Sequence, residues 1–191
     1  VILRNILENP GWYTSYTPYQ PEVAQGRLEM LLNFQQMIVD FTGMDIANAS
    51  LLDESTAAAE AMMMAFKIKK SSKFTFCVQN TCHPQTLSVL KTRAKPLGIK
   101  IIFDNPNEDT FGCLIQNPDT YGQIADLDEL VKLNKQNDIL SIIVADIMSL
   151  VIMKSPRNFG ADIVVGSTQR FGVPMGLGGP HAAFFATLDE Y

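Results

Sequence analysis

The sequence has little of what several functional classes require. Basic residues are in the minority, with 15 Lys and Arg against 20 Asp and Glu, a net charge of −5, and one basic cluster at Lys67 to Lys70. A nucleic-acid-binding surface depends on a broad basic face, so we do not expect nucleic acid as a partner. The residues present show neither an apolar run of about 18 residues nor a basic-then-apolar leader, so nothing in them predicts a membrane span or a secretion signal.

Cysteine is scarce, with three residues at Cys77, Cys82 and Cys113. They form neither a CxxC pair nor an even framework, which predicts free thiols in a reducing compartment. Cys82 is followed by His83, but no second pair of Cys or His lies at ligand spacing, so we expect no metal site. We therefore expect a cytoplasmic protein, or one of the mitochondrial matrix if the source is a eukaryote.

The apolar pattern predicts one α/β domain preceded by an arm. Residues 1–21 are rich in aromatic residues and prolines, which favours an extended arm without regular elements. Helices are predicted over 22–43, 55–70, 84–98 and 126–136, and strands over 74–78, 100–103, 111–116, 139–146, 162–166 and 182–187. This alternation builds a mostly parallel sheet between two layers of helices. We expect residues 22–191 to form this major domain as a piece of a longer protein.

Lysine is missing from one place where its absence is informative. The nearly all-apolar strand 139–146 ends in Asp146, and the next strand leads into the segment Ser167 to Arg170. Pyridoxal-phosphate (PLP) enzymes of the aspartate-aminotransferase fold type hold the cofactor as a Schiff base on a lysine, placed after the strand that carries an aspartate. No lysine occurs from Ser155 to Tyr191. A guanidinium stays protonated, so Arg170 is no substitute.

Three further places are candidates for ligand contacts. Ser55 and Thr56 open a helix, where free amide N–H groups and the helix dipole attract a phosphate, and the alternative is a plain helix cap. His83 follows a strand and opens a helix, so its ring either stacks on a flat cofactor, or simply lies in a loop or is satisfied by a neighbouring backbone group. Asp146 closes a buried strand, which is costly for an unpaired carboxylate, and its partner is a pyridinium, Arg170 or a backbone amide.

Four co-linear stretches carry a family resemblance. They are 16–29 (YTPYQPEVAQGRLE), 48–61 (NASLLDESTAAAEA), 82–86 (CHPQT) and 166–174 (GSTQRFGVP). With them the chain resembles, over nearly its whole length, the P protein of the glycine cleavage system, which is the PLP-dependent glycine dehydrogenase (decarboxylating). The resemblance is to the N-terminal half, or α subunit, which in this family lacks the PLP lysine.

The resemblance implies a fold, a cofactor and partners. The fold is the large domain of an aspartate-aminotransferase, fold type I enzyme, here incomplete. The complete enzyme uses PLP to decarboxylate glycine and passes the aminomethyl group to the lipoyl arm of the H protein. PLP is then held by the lysine-bearing C-terminal half or β subunit, with which this half forms an oligomer, and no covalent cofactor is expected on this chain.

The resemblance also assigns residues to sites. One family segment lies near the active-site entrance, and the residues that match it are Tyr16, Tyr19 and Glu22. A degenerate second site is matched by His83, Asp146 and Gln169. No catalytic residue is assigned within this chain, because the Schiff-base lysine is absent, and the isolated chain is expected to be inactive.

Two other functions stay open. The chain is alternatively a non-catalytic scaffold that stabilises and gates a lysine-bearing partner, which the aromatic arm favours because interfaces are enriched in Tyr and Trp. A third hypothesis is an independent binder of phosphate ligands at Ser55 and Thr56.

Overall fold

The computed structural model describes residues 2–17, 19–70 and 72–191, which form two compact units, Val1–Phe34 and Gln35–Tyr191. The division into an arm, 1–21, and a major domain, 22–191, stays a prediction. Within the described ranges, no helix combines the length and the apolar character needed to cross a membrane. The three cysteines are free, as the sequence predicts, and all are buried.

The first unit contains a short helix where the sequence predicts an extended arm. Helix α1, Ile2–Leu7, forms before the first proline of the chain, at Pro10, so nothing in its sequence blocks the backbone hydrogen bonds. Arg4 Nε donates to Glu8 Oε1 over 2.9 Å, an (i, i+4) pair that supports helix formation. The prediction of no regular element was wrong for this stretch, because it rested on prolines and aromatic residues that all lie at residue 10 or later.

Helix α2, Gln25–Thr42, begins in the first unit and ends in the second. A single 3-10 turn, Pro21–Val23, precedes it, so the helix predicted over 22–43 is confirmed with a slightly later start. Gly43 ends α2 with φ at +71°, and a Cβ there would lie 2.7 Å from the Ser155 hydroxyl oxygen. The left-handed backbone and the close side chain both require glycine at this position.

The second unit is built on a sheet. Its strands in the described residues are β1 Ile46–Ala47, β2 Thr75–Val78, β3 Lys100–Phe103, β4 Thr110–Asn117, β5 Leu140–Ala145, β6 Ile163–Ser167 and β7 Ala183–Thr187. Their order is β1-β7-β6-β5-β4-β2-β3. The pairs from β6 to β3 are parallel, whereas β7 pairs antiparallel with both β6 and β1. The mostly parallel sheet is confirmed; β1 was missed because two residues are too short to show an alternating pattern.

Helices α3, Glu54–Ile68, α4, Pro84–Ala94, and α5, Leu127–Gln136, cover the sheet. Residues of α3 and α4 share one apolar cluster with Ile142 and Val144 of β5. The neighbouring Ser141 points to the other face, where its hydroxyl oxygen lies 3.0 Å from Nδ2 of Asn134 in α5. Because side chains of a strand alternate between faces, α5 lies opposite α3 and α4, and the predicted three-layer arrangement is confirmed.

Gly166 fixes how closely β6 approaches β5 at the end of the sheet. A Cβ on Gly166 would lie 2.2 Å from the carbonyl oxygen of Ala145 and 2.7 Å from a ring carbon of Phe184. Any side chain at this position would push the two strands apart. The glycine therefore holds the segment that follows β6 beside the segment that follows β5.

Candidate functional site at the carboxyl edge of the sheet

A polar cavity of about 330 Å³ opens at the carboxyl edge of the sheet in the second unit. Strand β2 leads through α4 to β3 on one side, and β4 leads through α5 to β5 on the other, so the strand order reverses between β2 and β4. Crevices at such a reversal are the usual ligand sites of open α/β sheets. The residues that line the cavity are Glu54, His83, Gln116, Pro118, Asp119, Asp146, Ser167, Gln169 and Arg170.

The N-terminus of α3 is closed by a capping box. Asp53 is the N-cap residue; its Oδ1 accepts a hydrogen bond of 2.7 Å from the backbone N–H of Thr56, and the Thr56 hydroxyl donates to the same oxygen over 2.8 Å. The hydroxyl oxygens of Ser55 and Thr86 lie 3.2 Å apart and share a hydrogen bond. A helix cap is thus present at this turn, and Asp53 is the cap residue rather than Ser55 or Thr56. Both hydroxyls are engaged within the chain, and the phosphate role of Ser55 and Thr56 stays a prediction.

Glu54, one residue into the same helix, faces the cavity. Burial raises the pKa of its carboxyl from 4.5 to about 7; a hydrogen bond from Gln116 lowers it, and the charges of Asp146 and Asp53 raise it. The nearest basic nitrogen described around it is Nε2 of His83, 4.0 Å from Oε1. The Glu54 carboxyl therefore changes its protonation state near neutral pH.

His83 lines the cavity, where its position before Pro84 at the start of α4 places it. Its Nδ1 is 2.9 Å from the hydroxyl oxygen of Thr120, which belongs to the loop after β4. A side chain of a neighbouring loop thus engages the ring, and stacking on a flat cofactor stays a prediction. The Nε2 edge of the ring still faces Glu54.

Asp146 follows β5 and is held from two sides. Arg170 Nη1 lies 3.1 Å from Oδ2, and the backbone N–H of Met148 donates to Oδ1 over 3.0 Å. Arg170 and a backbone amide are two of the three partners that the sequence left open. Gln169 lines the same cavity, and its backbone N–H donates to the Ser167 hydroxyl over 3.1 Å.

Six cavity residues were not among the sequence-predicted site residues: Glu54, Gln116, Pro118, Asp119, Ser167 and Arg170. Gln116 is 2% exposed near the end of the buried strand β4, and a buried amide there was a signal that could have been used. Asp119 accepts hydrogen bonds of 2.9 Å from the backbone N–H groups of Tyr121 and Gln123, so it orders the loop after β4.

The predicted entrance residues, Tyr16, Tyr19 and Glu22, lie in the first unit. Pro18, which lies between the two tyrosines in the sequence, is outside the described residues. Tyr16 and Tyr19 are exposed, and Glu22 lies in the turn Pro21–Val23. The Tyr16 carbonyl accepts a hydrogen bond of 3.0 Å from Arg27 Nη1, which ties the tyrosine backbone to α2. Their role at an entrance stays a prediction. Among the described residues, no three His, Cys, Asp or Glu side chains are grouped to hold a metal ion.

Comparisons with known proteins agree with each other. A family model described as glycine cleavage system P-protein matches residues 1–191. The chain is 63% identical over 196 residues to glycine dehydrogenase (decarboxylating) of Pelagibacter ubique and 57% identical over 195 residues to glycine dehydrogenase (decarboxylating) 2 of Pseudomonas putida. Each match covers 100% of this chain and 20% of the relative, so the chain spans about a fifth of their length.

Solved structures show the same relationship. A glycine decarboxylase (P-protein) of the glycine cleavage system, in inhibitor-bound form, superposes with a TM-score of 0.91 at 34% identity, covering 99% of this chain and 45% of that one. A cystathionine gamma-lyase from Lactobacillus plantarum superposes with a TM-score of 0.65 at 19% identity, over 80% of this chain and 41% of that chain, which shows a shared fold only. The fold is thus that of the PLP-dependent fold type I enzymes, present here as a partial domain, and the chain belongs to the glycine cleavage system P-protein family.

Proposed function

We propose that this chain is the N-terminal part of a PLP-dependent glycine dehydrogenase (decarboxylating). In the complete protein, glycine is decarboxylated and its aminomethyl group passes to the lipoyl arm of the H protein. The observation that carries this proposal is the 63% identity with a glycine dehydrogenase over the whole chain. The proposal includes a cytoplasmic location, which the three free cysteines support.

The cavity of this chain does not fit PLP as a covalently bound cofactor. Its lining supplies no primary amine for a Schiff base. Three carboxyl groups, those of Glu54, Asp119 and Asp146, stand against a single guanidinium, which favours a ligand with a positively charged group over a phosphate dianion. These features support a cofactor held by a lysine of the other half, where the PLP ring acts as the electron sink for loss of carbon dioxide.

The contribution of this chain is to complete and cover the site of its lysine-bearing partner. Large apolar side chains are exposed in the loops at the carboxyl edge of the sheet: Leu52, Tyr121, Ile124, Ile152, Met175 and Leu177. Their exposed fractions run from 65% for Ile124 to full exposure for Leu177. Exposed apolar groups collected at one edge mark an interaction surface, which supports a partner seated over this edge in an oligomer.

The same surface favours a second candidate, a scaffold that stabilises and gates the partner without touching the substrate. Exchange of Tyr16 and of Tyr19 for alanine in the complete protein separates the two functions. Loss of glycine decarboxylation with an unchanged oligomer favours a direct role at the site, whereas loss of the oligomer favours the scaffold. Tyr13→Ala is the matched control, because Tyr13 is an exposed tyrosine of the same unit.

The main proposal is tested by locating the cofactor. The complete protein is purified with PLP, reduced with borohydride and digested, and the pyridoxyl-lysine peptide is identified by mass spectrometry. We expect one adduct, on a lysine that lies beyond residues 1–191, together with release of labelled carbon dioxide from glycine before reduction. An adduct on a lysine of this chain, or a protein that releases no carbon dioxide with the H protein supplied, would contradict the proposal.

A further inference from the structure

The charges around the cavity do not balance. Asp146 is neutralised by Arg170, and Asp119 is held by two backbone N–H groups. Glu54 has neither arrangement: its side chain is 19% exposed, its hydrogen bond from Gln116 comes from a neutral amide, and the nearest basic nitrogen among the described residues is Nε2 of His83 at 4.0 Å. A buried carboxylate without a cation is costly, so this part of the cavity is complementary to a positively charged ligand.

An ammonium group fits this position better than a metal ion. The described residues contain no set of three ligand side chains, whereas one carboxylate and one imidazole nitrogen are enough for a primary ammonium, which carries three N–H donors. When Nδ1 of His83 donates to Thr120, Nε2 presents a lone pair toward the Glu54 side of the cavity. The ammonium would then donate to both groups.

Arg170 supplies the opposite charge. Its only ion-pair contact in the described structure is from Nη1 to Asp146, and its side chain is 63% exposed, so the remaining N–H donors of the guanidinium are free to bind a carboxylate. Asp146 lies between the Arg170 side and the Glu54 side of the cavity: it pairs with Arg170, and its charge raises the pKa of Glu54. A volume of about 330 Å³ suits a small molecule that carries both charges.

We propose that this cavity binds a small α-amino acid as its zwitterion, with the ammonium group at Glu54 and His83 and the carboxylate at Arg170. This site is separate from the PLP site, which the function proposed above places in the other half of the protein. That separation rests on the proposed function, whereas the ligand contacts named here do not. It gives the degenerate half of the protein a means to respond to the concentration of an amino acid.

Binding in this manner is coupled to a proton. The groups that face Glu54 are Asp53 of its own cap, Cys82 and His83 after β2, Gln116 of β4 and Asp146 after β5. Burial raises the pKa of Cys82 to about 12, so this thiol stays neutral. Without ligand, Glu54 is protonated below about pH 7, and an ammonium ligand favours the ionised form. Binding therefore releases a proton and strengthens as the pH rises through 7.

The test uses the complete protein after its PLP aldimine has been reduced with borohydride, so that the catalytic site no longer reacts with glycine. Equilibrium dialysis with labelled glycine measures the remaining binding at pH 6 and pH 8. We expect one glycine per chain and an affinity about tenfold higher at pH 8, which is the change in the ionised fraction of a carboxyl with a pKa near 7. Absence of binding to the reduced protein, or binding that does not change with pH, would overturn the proposal.

Variants assign the two ends of the ligand. Glu54→Gln removes the pH dependence and most of the affinity, whereas Glu108→Gln, an exposed glutamate at the opposite edge of the sheet, changes neither. Arg170→Met weakens glycine but not methylamine, which has no carboxylate. Equal binding of glycine and methylamine by the unmodified protein would overturn the amino-acid assignment. A protein that fails to form the reduced PLP adduct contradicts the function proposed above instead, and the glycine measurement is then made without reduction.

Discussion

Arg170 and Asp146, which both line the cavity, form an ion pair with Nη1 3.1 Å from Oδ2. The backbone N–H of Met148 donates a hydrogen bond to the other carboxylate oxygen of Asp146. The aspartate that the sequence places beside a cofactor ring is thus already neutralised by its own chain. This pairing leaves Glu54 as the cavity carboxylate whose charge is set by pH and by ligands.

The ion pair itself contributes little to stability. Arg170 is largely exposed, and exposed ion pairs are worth at most about 1 kcal/mol because solvent screens them. We expect Arg170→Met to lower the melting temperature of the complete protein by less than about 4 °C. Arg4→Met, which removes an exposed helical ion pair with Glu8, is the matched control and should lower the melting temperature by a similar amount. A much larger fall for Arg170→Met would show that the pair holds the edge of the sheet together.

The cap of α3 has a measurable local effect. Asp53 accepts from both the N–H and the hydroxyl of Thr56, and loss of an N-cap costs about 1 kcal/mol. We expect Asp53→Ala to speed amide hydrogen exchange in the first turn of α3 about fivefold, whereas Asp53→Asn should keep most of the protection. Asp126→Ala, at the N-cap of α5, should affect α5 alone. Unchanged exchange in α3 would contradict the role of the cap.

Most of the framework of this site follows from the sequence. Asp146 ends one predicted parallel strand, and His83 and Gln169 follow two others. Because the carboxyl ends of parallel strands meet at one edge, the convergence of these residues in one cavity follows from the pattern. The strands themselves are predictable because β4 and β5 are buried along their whole length; β5 is apolar except for Ser141, and β4 contains the apolar run 113–115.

The polar contacts within the site do not follow from the sequence. The Ser55 hydroxyl is engaged by Thr86, a residue 31 positions away in another helix. The rotation of α3 about its axis turns Glu54, and not Ser55 or Thr56, toward the cavity, and a cap pattern does not specify that rotation. Helix α1 was missed for a different reason, since proline-rich composition downstream outweighed a short proline-free stretch.

Gly166 is expected to tolerate no side chain. A Cβ 2.2 Å from the carbonyl oxygen of Ala145 forces β5 and β6 apart, and overpacking of this kind costs about 1 to 3 kcal/mol. We expect Gly166→Ala to lower the melting temperature and the yield of folded protein. Gly26→Ala is the control, because no atom lies within 4 Å of a Cβ there and alanine favours the helix α2. Equal melting temperatures for the two variants would show that the strands shift without cost.

Glu54 should make stability depend on pH, with a sign that follows from its pKa. Burial raises that pKa from 4.5 to about 7, so between these values the folded state holds a proton that the unfolded state has lost. This contribution to stability is present at low pH and is lost as the pH rises toward and through 7. Glutamine cannot ionise. We therefore expect the melting temperature of Glu54→Gln, relative to that of the parent protein, to be higher at pH 8 than at pH 5. Glu108→Gln, which is exposed, should differ from the parent by the same amount at both pH values. Thermal unfolding of the three proteins at the two pH values measures this, and a difference for Glu54→Gln that does not change with pH would mean that the carboxyl ionises freely in the fold.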